Sequence, residues 1–298
     1  MMKNLILILA LSLPGSALLA AQSVDESRPF DPDGRISFTA VTGSYEFVGS
    51  SDNRLHISGT LGEDVETMVI EGHAGSWQIE LKPYNHRGRG ERRGQSSRLV
   101  ISVPRGVELE ARTISAGMNL MDLDGHWVNL HSISGDIVLN NVQPERLNVE
   151  TVSGGHNLDA GGWGESRLKS VSGNIRAHGL AGRIAVSSVS GQVDVDAVNI
   201  EDADLETVSG RIEASLAPAE RARINLASHS GRLDLKLPAD TPLDLRANTF
   251  SGRISSGFGG EVQRGRGPGE RLTHRTGSGQ VRVEAQSFSG RIQIEPAD

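Results

Sequence analysis

The chain has 298 residues, 36 glycines, 4% aromatics, no cysteine and a formal net charge of −7. That acidic balance offers no general attraction for nucleic acid or anionic lipid. The missing cysteine excludes disulfides, thiolate chemistry, cysteine-ligated zinc and a lipid-modified cysteine opening a mature chain. Many glycines with few large side chains indicate many short strands and turns, hence an all-β chain without a thick core.

Residues 1–21 read as a secretory signal peptide: Lys3, the apolar run 5–13, the breakers Pro14 and Gly15, then small residues with cleavage after Ala20 or Ala21. The competing reading is a retained anchor, but the run is too short to span a bilayer comfortably. Residues 22–33 are polar with two prolines and read as a flexible lead-in. From 34 to 298 we expect a single β domain. Its first coils, over 34–82, alternate apolar and polar residues without a strict repeat and could form a cap. The Arg- and Gly-rich segments 85–98 and 257–279 read as mobile surface insertions.

A Ser-Gly pair recurs, with its glycine at Gly135, Gly154, Gly173, Gly191, Gly210, Gly231, Gly252, Gly279 and Gly290. The spacings are 19, 19, 18, 19, 21, 21, 27 and 11 residues, with "TISAG" (113–117) as a degenerate earlier member. Such a period marks a repeat architecture. After each glycine the second and fourth residues are mostly apolar and the first and third polar, the pattern of a strand with one wet face. Before it, alternation through Leu147, Val149 and Thr151 slips by one at Val152, a bend or bulge at a fixed place. An antiparallel meander would leave one apolar face uncovered. A β-solenoid with coils of about 19–21 residues turns that face inward and stacks equivalent residues, so the nine glycines become repeat corners. Ile137, Val193, Ile212, Leu233, Ile254 and Ile292 should then line one interior, and Phe250 and Phe288 are expected in the core.

The "VSG-x-I/V-x-V" units and the proline-containing segments 99–117 and 233–252 resemble a bacterial adhesin-like β-strand-repeat family, a domain of unknown function. The resemblance covers residues 34–298. It implies an exported, right-handed parallel β-solenoid, and it supplies no catalytic motif to transfer.

Candidate chemistry is sparse. Ser166 and Lys169 match Ser-x-x-Lys, but residues three apart on a strand face opposite sides. His126 and His131 are poorly spaced for a metal. Six carboxylates in 194–206 could hold calcium or form a solvated face. No catalytic, metal or cofactor residue is assigned. Arg211, Arg232, Arg253 and Arg291 each follow a Ser-Gly. In a solenoid the first three form a row about 4.8 Å apart, either a polyanion-binding stripe or a salt-bridge ladder with Glu213 and Asp234. The expected function is a non-enzymatic envelope or cell-surface interaction scaffold, periplasmic or secreted, with an anionic glycan or another envelope protein as partner. The alternatives are a polysaccharide-active β-helix enzyme and a structural protein stacking end to end.

Overall fold

The computed structural model describes residues 5–10, 22–84, 95–264 and 267–297. The expected cleavage site at Ala20–Ala21 and residues 85–94 of the first arginine-rich segment lie outside these. No helix occurs among the described residues, and therefore none long and apolar enough to cross a membrane. The chain forms two compact units, residues 1–146 and 147–298.

The first unit holds β1 (Leu5–Ala10), β2 (Gln22–Pro29), β3 (Arg35–Ser50), β4 (Arg54–Leu61), β5 (Val65–His73), β6 (Ser76–Pro83), β7 (Arg98–Pro104), β8 (Glu108–Met121), β9 (Trp127–Ser132) and β10 (Ile137–Asn140). Strand β3 runs parallel to β8 from Arg35↔Glu108 to Val48↔Met121. Its other edge takes β6 along its first half and β7 along its second, also parallel. On the far edge of β8, β9 and β10 continue the parallel stack. Outside β6 and β7 the pairing turns antiparallel, with β5 on β6, β4 on β7, β2 on β4 and β1 on β5. Aromatics concentrate in this core. The Phe38 ring meets Tyr45 at 4.7 Å and Phe47 at 5.3 Å, both edge-on, the arrangement the ring quadrupoles favour.

The second unit holds β11 (Arg146–Thr151), β12 (His156–Ser170), β13 (Ile175–Ser188), β14 (Val193–Thr207), β15 (Arg211–Ser228), β16 (Arg232–Pro238), β17 (Leu243–Thr249), β18 (Arg253–Ser256), β19 (Val262–Arg264), β20 (Glu270–Arg275), β21 (Val281–Ser287) and β22 (Arg291–Ala297). Strands β12 to β15 stack in parallel, one per repeat, with register shifts midway at Asp159/Gly162, His178/Leu180 and Val198/Ile200. Each repeat is thus two strand segments with a bend between them, and Ser-Gly makes the other corner. Val193, Ile212, Leu233, Ile292 and Ile254 follow one another across the stack and are buried, as is Ile137 in the first unit. Each unit is therefore all-β and built around parallel coils.

Chain order is not stacking order at the end of this unit. Strand β21 inserts between the second half of β15 and β17, and β22 between β16 and β18. The last strands are therefore interior to the stack. The edge of β17 is covered by β20, antiparallel, and β20 carries β19. Segment 257–279, expected as a mobile insertion, thus forms a hairpin over an open sheet edge, apart from residues 265–266, which lie outside the described residues. Its Ser278-Gly279, expected as a repeat corner, lies in this segment. Gly279 has φ +66° in the turn before β21 and stands apart from the repeat corners.

Candidate functional site

Each corner is built from a residue that reads as the mere end of a strand. Three positions before the glycine stands Ser or Thr, buried, with its hydroxyl accepting the glycine N–H: Gly135 from Ser132 at 2.9 Å, Gly173 from Ser170 at 2.8 Å, Gly191 from Ser188 at 3.0 Å, Gly210 from Thr207 at 2.9 Å, Gly231 from Ser228 at 2.6 Å and Gly290 from Ser287 at 2.8 Å. At Thr151 the hydroxyl donates to the Gly154 carbonyl at 2.7 Å. The working motif is thus Ser/Thr-x-Ser-Gly, a local turn that satisfies a buried donor. The glycine is required by the neighbouring coil. A Cβ on Gly210 would lie 2.1 Å from the Gly191 carbonyl oxygen, and one on Gly252 1.8 Å from that of Gly290.

The residue x between Ser/Thr and Ser-Gly points outward. Phe250 is 61% exposed and Phe288 49%, so both rings lie outside the core where they were expected. The corner turns the chain after a buried Ser or Thr, and this forces the next side chain into solvent.

The arginines do form a row, but with Arg291 inserted. Arg211 is in register with Arg232, Arg232 with Arg291 and Arg291 with Arg253. The adjacent outward row reads Asp194, Glu213, Asp234, Gln293 and Ser255. Arg211 therefore pairs with Glu213 at 2.9 Å and Arg232 with Asp234 at 2.8 Å. The Asp234 carboxylate, with Glu213 and Glu295 beside it, raises the pKa of Arg232. Arg291 and Arg253 instead sit opposite the neutral Gln293 and Ser255, and neither guanidinium has an ion pair among the described residues. Arg253 acts at longer range on Glu270, whose pKa is lowered by the Ile254 N–H at 2.7 Å and by Arg264 at 3.0 Å. One other charge row behaves differently. Glu165, Arg183, Asp202, Arg223, Arg282, Asp244 and Arg275 alternate in sign except at the Arg223–Arg282 step.

The acidic segment 194–206 is dispersed. Asp194 lies in the row just described, and Asp202 faces Arg223 at 3.8 Å. No group of three or more His, Asp or Glu placed to hold a metal occurs among the described residues. His126 lies 3.0 Å from Glu145. Ser166 and Lys169 both lie on β12, where Lys169 lies 3.7 Å from Glu150. One buried titratable group escaped the sequence reading. His156 stands where the next coil has Ile175, its Nε2 2.9 Å from the Thr151 hydroxyl and its buried Nδ1 without a partner. Burial lowers its pKa from 6.5 to about 4.

A family model for Toastrack DUF4097 matches residues 35–295. The chain belongs to the Toastrack family. The match bears out the family resemblance carried by the repeat units. No protein of curated function matches it. Among solved structures, the Toastrack chain is similar to a candidate adhesin from Bacteroides fragilis (13% identity, 92% of this chain and 97% of that one, TM-score 0.39). It is also similar to a candidate adhesin from Parabacteroides merdae (11%, 93% and 97%, TM-score 0.32) and a candidate cell adhesion protein from Clostridium sporogenes (10%, 93% and 100%, TM-score 0.27).

Proposed function

We propose that this Toastrack protein is an exported, non-enzymatic interaction scaffold of the envelope or cell surface, whose arginine row binds an anionic polymer. The carrying observation is the end of that row. Arg291 and Arg253 are adjacent, have no ion pair among the described residues and face the neutral Gln293 and Ser255, whereas Arg211 and Arg232 face carboxylates. Strands fixed about 4.8 Å apart hold both guanidiniums on one face at no cost in ordering the backbone on binding. Arg211 and Arg232 extend the row but must exchange their carboxylate partners for the ligand. In this reading the coils wind right-handed, the hand that twisted strands favour for parallel connections. Signal cleavage after Ala20 or Ala21 removes β1 and frees the edge of β5.

The test is retention of acidic and neutral glycans on immobilised protein across a salt series. Acidic glycans should be retained selectively and released by salt, because exposed ionic contacts are screened. Arg253→Ala with Arg291→Ala should weaken retention about tenfold or more, and Arg211→Ala with Arg232→Ala should weaken it less. Equal retention of both glycan classes, or insensitivity to the first pair, would reject the reading. Shortened or unsaturated oligosaccharides in the flow-through would point to an enzyme.

A further inference from the structure

The outward residues at the corners of the second unit line up into a ridge along the stacking direction. Inter-coil hydrogen bonds set their order: Val152, Val171, Val189 and Val208, then His229, Phe288 and Phe250. The four valines are 43–47% exposed, and the two phenylalanines more so. The rings stack on each other, His229 on Phe288 at 4.9 Å and 4°, Phe288 on Phe250 at 4.8 Å and 7°. A groove of about 730 Å³ runs beside the ridge, walled by Ser187, Glu206, Ala227, Gln286 and Asn248. Seven successive corners with no Lys, Arg, Asp or Glu form a contiguous apolar strip, which soluble proteins rarely leave uncovered.

We propose that this ridge is a homodimer interface, occupied by the same ridge of a second copy running in the opposite direction. Two observations favour that occupant. First, knobs about 4.8 Å apart need a partner with the same repeat, and another copy matches it along the whole strip. Second, the ridge is graded in size. Under a two-fold axis through Val208, each ring of one copy meets a valine of the other: Phe250 with Val152, Phe288 with Val171 and His229 with Val189. Large meets small at each of these three pairings, as interdigitating packing requires, and the contact is isologous and closed.

The absence of cysteine allows a direct test on the full chain. Val208→Cys, on the proposed axis, should give a disulfide-linked dimer under mild oxidation. Val171→Cys alone should give little, and a mixture of Val171→Cys with Phe288→Cys should give the heterodimer. Sedimentation velocity of the unmodified chain should show a concentration-dependent dimer. Phe250→Ser with Phe288→Ser should weaken it at least tenfold while leaving the circular dichroism of the chain unchanged, since both rings lie outside the core. Glu206→Gln should tighten it, because Glu206 lies two residues from the axis and approaches its own copy. A monomer at all concentrations up to about 100 μM would overturn the proposal, as would Val208→Cys cross-linking no better than Val171→Cys. A dimer indifferent to the phenylalanine changes would place the interface elsewhere. Arginine-row variants should leave dimerisation unchanged, which separates this proposal from glycan binding.

Discussion

His156 puts an imidazole where the neighbouring coil places Ile175, and its Nδ1 gains nothing from being buried. Because its folded pKa, about 4, lies below the 6.5 of an exposed imidazole, the neutral ring's contribution is complete above pH 6.5. It is lost progressively as pH falls from 6.5 to about 4, a total of about 3 kcal/mol. His156→Ile should therefore flatten the acid limb of the melting-temperature profile and raise stability at pH 5. An unchanged profile in calorimetric scans from pH 4 to 8 would show that the ring is not buried as described. Glu270 acts on the same limb by the opposite chemistry. Its lowered pKa reflects stabilisation of the charged carboxylate, so its contribution is present above the ordinary carboxylate range and disappears as pH falls through the folded value. Glu270→Gln should speed amide exchange at Ile254 at pH 7, and the variant and the parent should converge once pH falls below the folded value and the carboxyl is protonated.

At the level of the element, the corner depends on both of its polar partners. Ser228→Ala leaves the Gly231 N–H without its 2.6 Å acceptor in a buried turn. The expected cost is about 1–3 kcal/mol, a fall of several degrees for a unit of this size. Ser228→Thr should be nearly neutral, because Thr207 performs the same task one coil away. Gly210→Ala should cost more than the serine change, since the methyl group meets a backbone carbonyl that the next coil holds in place. The β19–β20 hairpin has a different role, covering the outer edge of β17. Replacing 257–279 by a short linker should yield protein that aggregates through that edge, because unpaired strand edges recruit other strands. Light scattering at rising concentration measures it.

For the whole molecule, the two units solve the burial problem with different residues. Unit 1 packs Phe30, Phe38, Tyr45, Phe47 and Trp77, whereas the second fills its coils with Val, Ile, Leu and Ala. A thin coil has room only for such side chains, and each coil is stabilised mainly by its neighbours. Ile212→Asp should therefore propagate, since an unpaired carboxylate in that interior costs several kcal/mol and removes the support of the coils on either side. Circular dichroism should show a broad loss of strand signal, and a melting temperature within a degree of the parent would contradict the burial of Ile212.

The period of the Ser-Gly pairs and the alternation after each glycine were enough to establish an all-β stack with Ile212, Leu233 and Ile254 inside. Both are local properties of the chain, set by side chains pointing alternately to two faces of a strand. The outward turn at Phe250 and Phe288 was not legible, because apolar character alone does not reveal which side of a corner a residue takes. The signal that could have revealed it was the small polar residue just before, Thr249 or Ser287, which claims the inner place. Nor could the repeats reveal that β21 and β22 insert between earlier strands. Sequence order and stacking order coincide only when each coil is added at the free end, and hydrogen bonding between equivalent strands permits insertion equally well. That choice belongs to the tertiary structure. It places Arg291 beside Arg253 and Phe288 between His229 and Phe250, and so assembles both the charged row and the apolar ridge.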